Sequence, residues 1–419
     1  MALAIAIFAV ALAVVASDKV HRTKVALAGA ALVVLTGTLD QEQAIESIDF
    51  NTIGLLAGMM LIVRVTEPTG VYNYLAIRAG QLSRGNPALV VLSLAATTAV
   101  LSAFLDNLTT VLLVVPITFL LADALDIDPI PLVIIEIIAS NIGGTATLIG
   151  DPPNILIAGR TDLSFNEFLV NLAPVAVVAF VVVTAALYLF YRSRLQIEPD
   201  ARARVMDLDA SRSIEDMDEL KRTMPVLGLT IGAFFVHSAL GIEPATVALT
   251  GAAAMLLVTR QSVEEALAGI EWATLFFFLG LFVLVGGLEH AGAIDEVADG
   301  IASLTDGDRT AELTGILGVS ALGSAVVDNI PFTAAMLPVV EQLQADTPGD
   351  DAYWWALSLG ACFGGNATLI AAAANVAAAG MAQRAGRAIG FVEFLKIGLP
   401  ATLLSLAIAY AYLLLRYVA

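Results

Sequence analysis

Three observations predict an all-α, polytopic membrane protein made of two inverted-topology repeats. The first is composition: 58% of the 419 residues are hydrophobic and 14% are charged, against about 25% charged in soluble proteins. At about 20 apolar residues per crossing, that apolar share suffices for roughly ten to twelve crossings. The second is an internal repeat. Ile48-Asp49-Phe50-Asn51-Thr52-Ile53 returns as Ile270-Glu271-Trp272-Ala273-Thr274-Leu275. The same spacing carries Gly29 to Gly251, Glu67 to Glu289, Ser102 to Ser324, Asp106-Asn107 to Asp328-Asn329, and Pro116 to Pro338. One residue less carries Gly143-Gly144 to Gly364-Gly365, Thr147-Leu148-Ile149 to Thr368-Leu369-Ile370, and Asn154 to Asn375. The third is sidedness. Loop 18–24 holds Lys19, Arg22 and Lys24, while its repeat partner 240–246 holds no basic residue. Segment 67–90 is basic on balance, and its partner 289–312 is acidic. Basic loops stay cytoplasmic, so equivalent loops face opposite sides and the repeats are inverted.

The elements follow in order. Residues 2–17 read as a retained first span with its N-terminus outside, because the stretch lacks a basic n-region and Lys19, Arg22 and Lys24 follow it. Spans 25–39 and 52–66 come next, then an amphipathic surface helix near 72–84. A hairpin spans 87–105 and 108–125, followed by a broken helix over 131–158 and a last span at 165–191. The second half repeats this series, with its hairpin at 311–340. Each hairpin either spans fully or re-enters, and both options preserve the sidedness. Every basic residue then lies inside except Arg160, Arg309 and Arg416, with Arg64 near a span end, where it snorkels or pairs with Glu67. The repeats are 1–191 and 225–419. Between them, 192–224 is the only long polar stretch; its mixed charge predicts a solvated cytoplasmic linker.

The formal charge of -19 excludes nucleic acid as a partner. The acidic excess, with four lysines (Lys19, Lys24, Lys221, Lys396), resembles proteins of salt-loving microbes. No Walker A loop, H-E-x-x-H pair or G-x-S-x-G elbow is present, so no enzyme is expected. The single cysteine, Cys362, reads as buried packing, and His237 reads as structural.

Chemistry concentrates at two helix breaks, each present in both halves. Asp106-Asn107-Leu108-Thr109-Thr110 and Asp328-Asn329-Ile330-Pro331-Phe332-Thr333 interrupt apolar sequence with groups that are costly at membrane depth. The plain alternative is a capped turn at the membrane surface; the recurrence favours tips that meet near the midplane. The second break runs from Ser140 and Asn141 through Gly143, Gly144, Thr145 and Thr147 to Asp151, Pro152, Pro153 and Asn154. Its partner holds Gly364, Gly365, Asn366, Thr368 and Asn375. Unwound backbone at membrane depth persists only where it lines a cavity or binds something. Close packing through glycine is the alternative. Half-helix N-termini suit an anion, and free carbonyls with Asn and Thr oxygens suit Na⁺. The halves differ at Asp151, replaced by Ala372, and at Glu136, replaced by Leu357. A lone carboxylate beside unwound helix is a candidate for proton or cation coupling, although Asp151 also suits a helix cap.

Ser140 to Asn154 resembles the signature of the arsenite permease and NhaD-type permease family, within the ion transporter superfamily. It is most similar to the branch containing the melanosomal P protein. The resemblance implies a dimerising scaffold and a transport domain of hairpins and broken helices that moves like an elevator. It also implies that Asp106, Asn107, Thr109, Asp328, Asn329 and Thr333 surround the substrate together with Asn141, Gly143, Gly144, Thr145, Thr147, Gly364, Gly365, Asn366 and Thr368. Carboxylate transporters of the superfamily carry Ser-Asn-Thr tips. Here the tips are Asp-Asn, and their charges favour neutral arsenite, a proton or Na⁺ over a citrate-like polyanion.

The sequence therefore points to a secondary active transporter in the cell membrane of a prokaryote. Asp151, Asp106, Asp328 and Glu136 are its coupling groups, and Pro152, Pro153, Asn154 and Asn375 form its helix breaks. A Na⁺/H⁺ antiporter and a carboxylate transporter are the alternatives. No cofactor or resident metal is expected, with Na⁺ as a coupling ion; the expected partners are lipid, a small inorganic ion and a second copy of the chain, and a separate ATPase partner stays open.

Overall fold

Ten helices recur in each half of the computed structural model, which describes residues 1–17, 19–84, 86–197, 204–206, 209–305, 307–345 and 350–418. The first half contains α1 (Ala2–Ala16), α2 (Arg22–Leu35), α3 (Gln41–Glu46), α4 (Phe50–Thr66) and α5 (Val71–Leu82). Then come α6 (Pro87–Phe104), α7 (Asn107–Leu125), α8 (Ile130–Gly144), α9 (Pro152–Arg160) and α10 (Phe165–Tyr191). The second half contains α11 (Met217–Val236), α12 (Pro244–Val258), α13 (Val263–Ala268), α14 (Trp272–His290) and α15 (Ala293–Thr305). It closes with α16 (Arg309–Val326), α17 (Asn329–Ala345), α18 (Ala352–Gly364), α19 (Ala373–Arg384) and α20 (Phe391–Leu413). No strand occurs among the described residues.

The repeat extends to the signals that start these helices. Asp40 and Ser262, equivalent positions, each close a capping box with the residue three ahead, at α3 and α13. Asn86 and Asp308, also equivalent positions, cap α6 and α16 by accepting from first-turn N–H groups, without the reciprocal bond. Each cap satisfies N–H groups that the first helical turn leaves without a partner. The short helices α3 and α13 are elements the sequence reading did not contain.

Tertiary packing exchanges the halves. Helix α2 packs on α14 and α4 on α12, while α7 packs on α19 and α9 on α17. At the first pair the backbones nearly touch: a Cβ on Gly280 would lie 2.6 Å from the Ala26 carbonyl carbon. The equivalent Gly58 would meet the Ala248 carbonyl carbon at 2.7 Å. One contact thus appears twice with its halves swapped, as an inverted repeat requires. Gly280→Val is expected to destabilise the purified protein by about 1–3 kcal/mol through overpacking, read as a fall in thermal unfolding temperature in detergent. Val at the open Gly318 position, where a Cβ meets nothing within 4 Å, is the control.

Two packed groups result. Helices α1, α2, α4, α11, α12 and α14 form one, and α6 to α10 with α16 to α20 form the other. The surface helices α5 and α15 lie against the hairpins. Among the described residues, six helices are long and apolar enough to cross a membrane: the α4 and α14 pair, both arms of hairpin one, and the long α10 and α20. Helices α1, α8 and α12 are shorter and apolar. The tips of the two hairpins, entering from opposite sides, converge on the same residue, Asp151, so the hairpins re-enter. The chain is a multi-pass membrane protein.

The linker departs from expectation. Helix α11 begins at Met217, within the polar stretch, because Asp216 caps it through the N–H groups of Asp218 and Glu219. Ala210–Ser213 packs on α5, and Glu215 N–H donates to Thr69 O at 3.1 Å. Leu195, Ile197, Val205 and Ala210 are buried. Four apolar side chains scattered among charges are too sparse to give a periodic signal, yet they fasten the segment to the helix bundle. Arg202, one of its basic residues, lies outside the described residues.

Candidate functional site

Four helix N-termini and four helix C-termini meet where the hairpin tips reach the two broken helices. The unwound backbone at each break is pinned by one asparagine. Asn154 Nδ2 donates to the carbonyls of Thr145 (3.0 Å) and Thr147 (2.8 Å). Asn375 Nδ2 donates to those of Gly365 (2.7 Å) and Thr368 (2.9 Å). The sequence reading offered these unwound carbonyls as free ligands for Na⁺; the four named here each accept an amide proton. Ser358 Oγ completes the first pin by donating to Asn154 Oδ1 at 2.5 Å.

A chain of buried polar groups runs between the two pins. Asp151 Oδ1 accepts from Asn107 Nδ2 (3.3 Å) and Asn329 Nδ2 (3.1 Å), one from each hairpin tip. Asn107 Nδ2 also donates to Asn141 Oδ1 at 3.1 Å. Asn141 Nδ2 in turn donates to Asn366 Oδ1 (2.9 Å) and Asn375 Oδ1 (3.1 Å). All of these residues are buried. Two atoms of the group, Asp151 Oδ2 and Asn366 Nδ2, make no hydrogen bond to nitrogen or oxygen, and the Cys362 thiol lies against Asp151. An unpaired carboxylate oxygen and an unpaired amide N–H at such depth are each costly. Together they supply an acceptor for a cation and a donor for an oxyanion.

The structure separates the other expected residues from this centre. Asp106 caps α7 with Oδ1 on the Thr109 N–H, while Thr109 Oγ1 donates to its other oxygen. Asp328 pairs with Arg22 instead. Both tip aspartates are half-buried and make none of their hydrogen bonds within the amide cluster. The cap reading thus accounts for Asp106 and Thr109, and an Asn beside each tip Asp reaches the centre. Thr145 and Thr333 donate to carbonyls of their own helices. Thr147 and Thr368 bond the carbonyls of Ala103 and Ala325, tying each break to its hairpin. Gly143 and Gly364 face helix backbone: a Cβ would lie 2.3 Å from Ala99 O and 2.6 Å from Ala321 O. These two glycines serve close packing rather than open binding space. A Cβ on Gly144 would meet Gly150 O at 2.6 Å, across the break. Gly365 lies beside the Asn329 amide, its Cβ position 3.7 Å from Nδ2.

Pro152 and Pro153 open α9 after Asp151, whose side chain gives that helix no cap bond. The capping alternative for Asp151 therefore fails. Glu136 lies elsewhere, with Oε1 accepting from Thr118 Oγ1 at 2.6 Å and Oε2 unpartnered. Arg64 pairs with Glu67 at 3.0 Å. His237 accepts from Phe165 N–H and faces Ile242 O, a structural role. Cys362, the repeat counterpart of Asn141, is buried next to Asn154. Arg22 and Ser358 were missed. The first lay in a loop read only for sidedness, and the second in an unbroken apolar helix.

Two cavities flank the tips. One, of 300 Å³, is lined by His21, Arg22, Leu108, Asp328, Ile370 and Val376, among others. The other, of 260 Å³, is lined by Arg64, Glu67, Thr109, Leu112, Gly269 and Glu271, among others. The first borders the basic loop that holds Arg22, and the second borders Arg64 and the loop at Gly269. Arg160 holds Glu289 of α14 and Glu341 of α17, both at 2.7 Å.

The profile of the citrate transporter family, CitMHS, matches residues 12–360. An uncharacterized transporter of Mycobacterium tuberculosis is 44% identical over 99% of this chain and 98% of its own length. The P protein of Homo sapiens is 33% identical over 99% of this chain, which spans 60% of that longer protein. Among solved structures, the YdaH transporter of Alcanivorax borkumensis shares the fold, with a TM-score of 0.63 at 16% identity, covering 93% of this chain and 95% of that one.

Proposed function

Because the chain belongs to the CitMHS citrate transporter family, and so to the membrane transporters, we propose that it is a secondary active transporter moving a small inorganic ion or oxyanion on a H⁺ or Na⁺ gradient. The observation that carries this reading is Asp151. It is a single buried carboxylate held between two hairpin tips, with one oxygen committed to Asn107 and Asn329 and the other free of any N–H or O–H donor, the Cys362 thiol alone beside it. A cation or proton bound at that oxygen removes the cost of an uncompensated buried charge. Because both tips share the same carboxylate, loading it is sensed by both halves at once. The Asn366 amide offers the donor an oxyanion needs.

In this reading both cavities face the cytoplasm and the Arg160 clasp lies on the other side, which corresponds to an inward-facing arrangement. Alternation then carries the hairpin body past the scaffold body while the site stays assembled. Two copies of the chain form the functional unit, and the cell membrane is its location. Carboxylate transport is the second reading, favoured by the Arg22 side chain in the cavity that leads to tip two.

A transport panel in proteoliposomes separates these. Arsenite, antimonite, Na⁺, Li⁺ and dicarboxylates are tested under imposed H⁺ and Na⁺ gradients. The expected result is accumulation of an inorganic ion that collapses when the gradient is dissipated. Dicarboxylate uptake with no inorganic flux supports the second reading, and Na⁺-dependent luminal pH change without arsenite movement identifies an antiporter.

A further inference from the structure

Arg22 begins α2, yet its Nη1 lies 2.7 Å from Asp328 Oδ2 at the tip of hairpin two. The pair joins the scaffold group to the hairpin group across 306 residues of sequence. Side-chain exposure is 20% for Arg22 and 12% for Asp328, so the bridge is largely out of water. Arg22 is also seated over Phe277 of α14, 5.1 Å from the ring centroid, and Asp328 Oδ1 accepts from Ile330 N–H. Both partners are fixed, which reduces the entropy cost that leaves exposed ion pairs near zero.

The inverted repeat shows what this bridge lacks on the other side. Exchanging the halves maps Arg22 to Pro244, Phe277 to Leu55, His21 to Glu243, and Asp328 to Asp106. Asp106 therefore has no cation waiting at the start of α12, and the residue next to that place is an acid. Its charge is met by its own helix and by Thr109. The two tips are alike in sequence and opposite in surroundings.

We propose that Arg22 is a gating residue that holds the tip of hairpin two on the cytoplasmic side, positioning Asp328 away from the transported ion and weighting the inward-facing population. In an inverted repeat, the outward arrangement gives each half the surroundings of the other. The cation–carboxylate contact then exists in one state only. A contact made in one state shifts the equilibrium by its own free energy. The proposal rests on the transporter reading above.

The test labels a cysteine placed at Ala377, which lines the cytoplasmic cavity, with an impermeant maleimide in inside-out vesicles; the parent with only the buried Cys362 is the blank. Arg22→Gln and Asp328→Asn are each expected to slow labelling about fivefold, a shift typical of coupled equilibria. The double variant matches either single one, and Arg22→Lys restores the rate. Thermal unfolding confirms that each variant is folded. Unchanged labelling in folded Arg22→Gln, or a further loss when Arg22→Gln is added to Asp328→Asn, overturns the proposal. Shifted labelling with no flux in the transport panel defeats the ion-coupled reading and leaves the gate standing. Coupled flux with unshifted labelling does the reverse.

Discussion

Asp151→Asn is expected to lower gradient-driven uptake about 100-fold while leaving the protein folded. The substitution keeps Oδ1, so the amides of Asn107 and Asn329 retain their acceptor. What it removes is the charge and the Oδ2 that no N–H or O–H donor meets. A charge-assisted contact is worth about 1.5–3 kcal/mol, which is roughly 10- to 150-fold in affinity. The fold readout is expected to move little, or upward, because an uncompensated buried charge is relieved. Proteoliposome flux and thermal unfolding, measured on the same preparation, separate the two effects. Uptake that stays intact and gradient-dependent in Asp151→Asn sinks the coupling assignment. Ala372, which stands at the equivalent place in the second half, already shows that the break itself tolerates a neutral residue there.

Asn154→Leu is expected to give the largest loss of stability in the chain. One side chain satisfies the carbonyls of Thr145 and Thr147 and accepts from Ser358. Leucine leaves three buried polar groups without that partner, at about 1–3 kcal/mol each. The total, about 3 kcal/mol or more, is a large share of the margin by which a domain is stable. Loss of the folded peak in size-exclusion chromatography, or a sharply lower unfolding temperature, is the measurement. A variant with an unfolding temperature within a degree or two of the parent contradicts the pinning role.

Much of this was legible in the sequence because an inverted repeat writes each structural device twice. Helix breaks and hairpin tips recur at a nearly fixed spacing, so their position and type could be read from the sequence, whereas the recurrent caps of α3 and α13 were not. The helices fall within a few residues of the expected spans, and the charge of the loops gave the inversion. Which atoms face the site was not legible. Asp106 and Asn107 are neighbours in sequence, and only the geometry of the α7 start sends the first to cap its helix and the second to Asp151. Thr147 and Thr368 looked like ligands and turned out to tie the breaks to the hairpins, while Thr145 bonds its own helix, because a hydroxyl near a helix end is captured by the closest carbonyl. The Arg22–Asp328 contact spans both halves and two packed groups, a separation at which sequence pattern carries no signal.

The cross-packing of the halves has a consequence for how the chain is made. The first repeat enters the membrane alone, since it is synthesised first. At that stage α2 and α4 lack α14 and α12. Asp151 and Asn141 wait without the amides of Asn329, Asn366 and Asn375. The group of α1, α2 and α4 cannot close until α14 has been delivered, and the hairpin group waits for α16 to α20. Assembly of the polar centre is therefore the last event of biogenesis, and a chain interrupted between the repeats leaves an inserted half with unpaired polar groups in lipid. Such a half is a natural substrate for membrane quality control rather than a slow version of the finished protein.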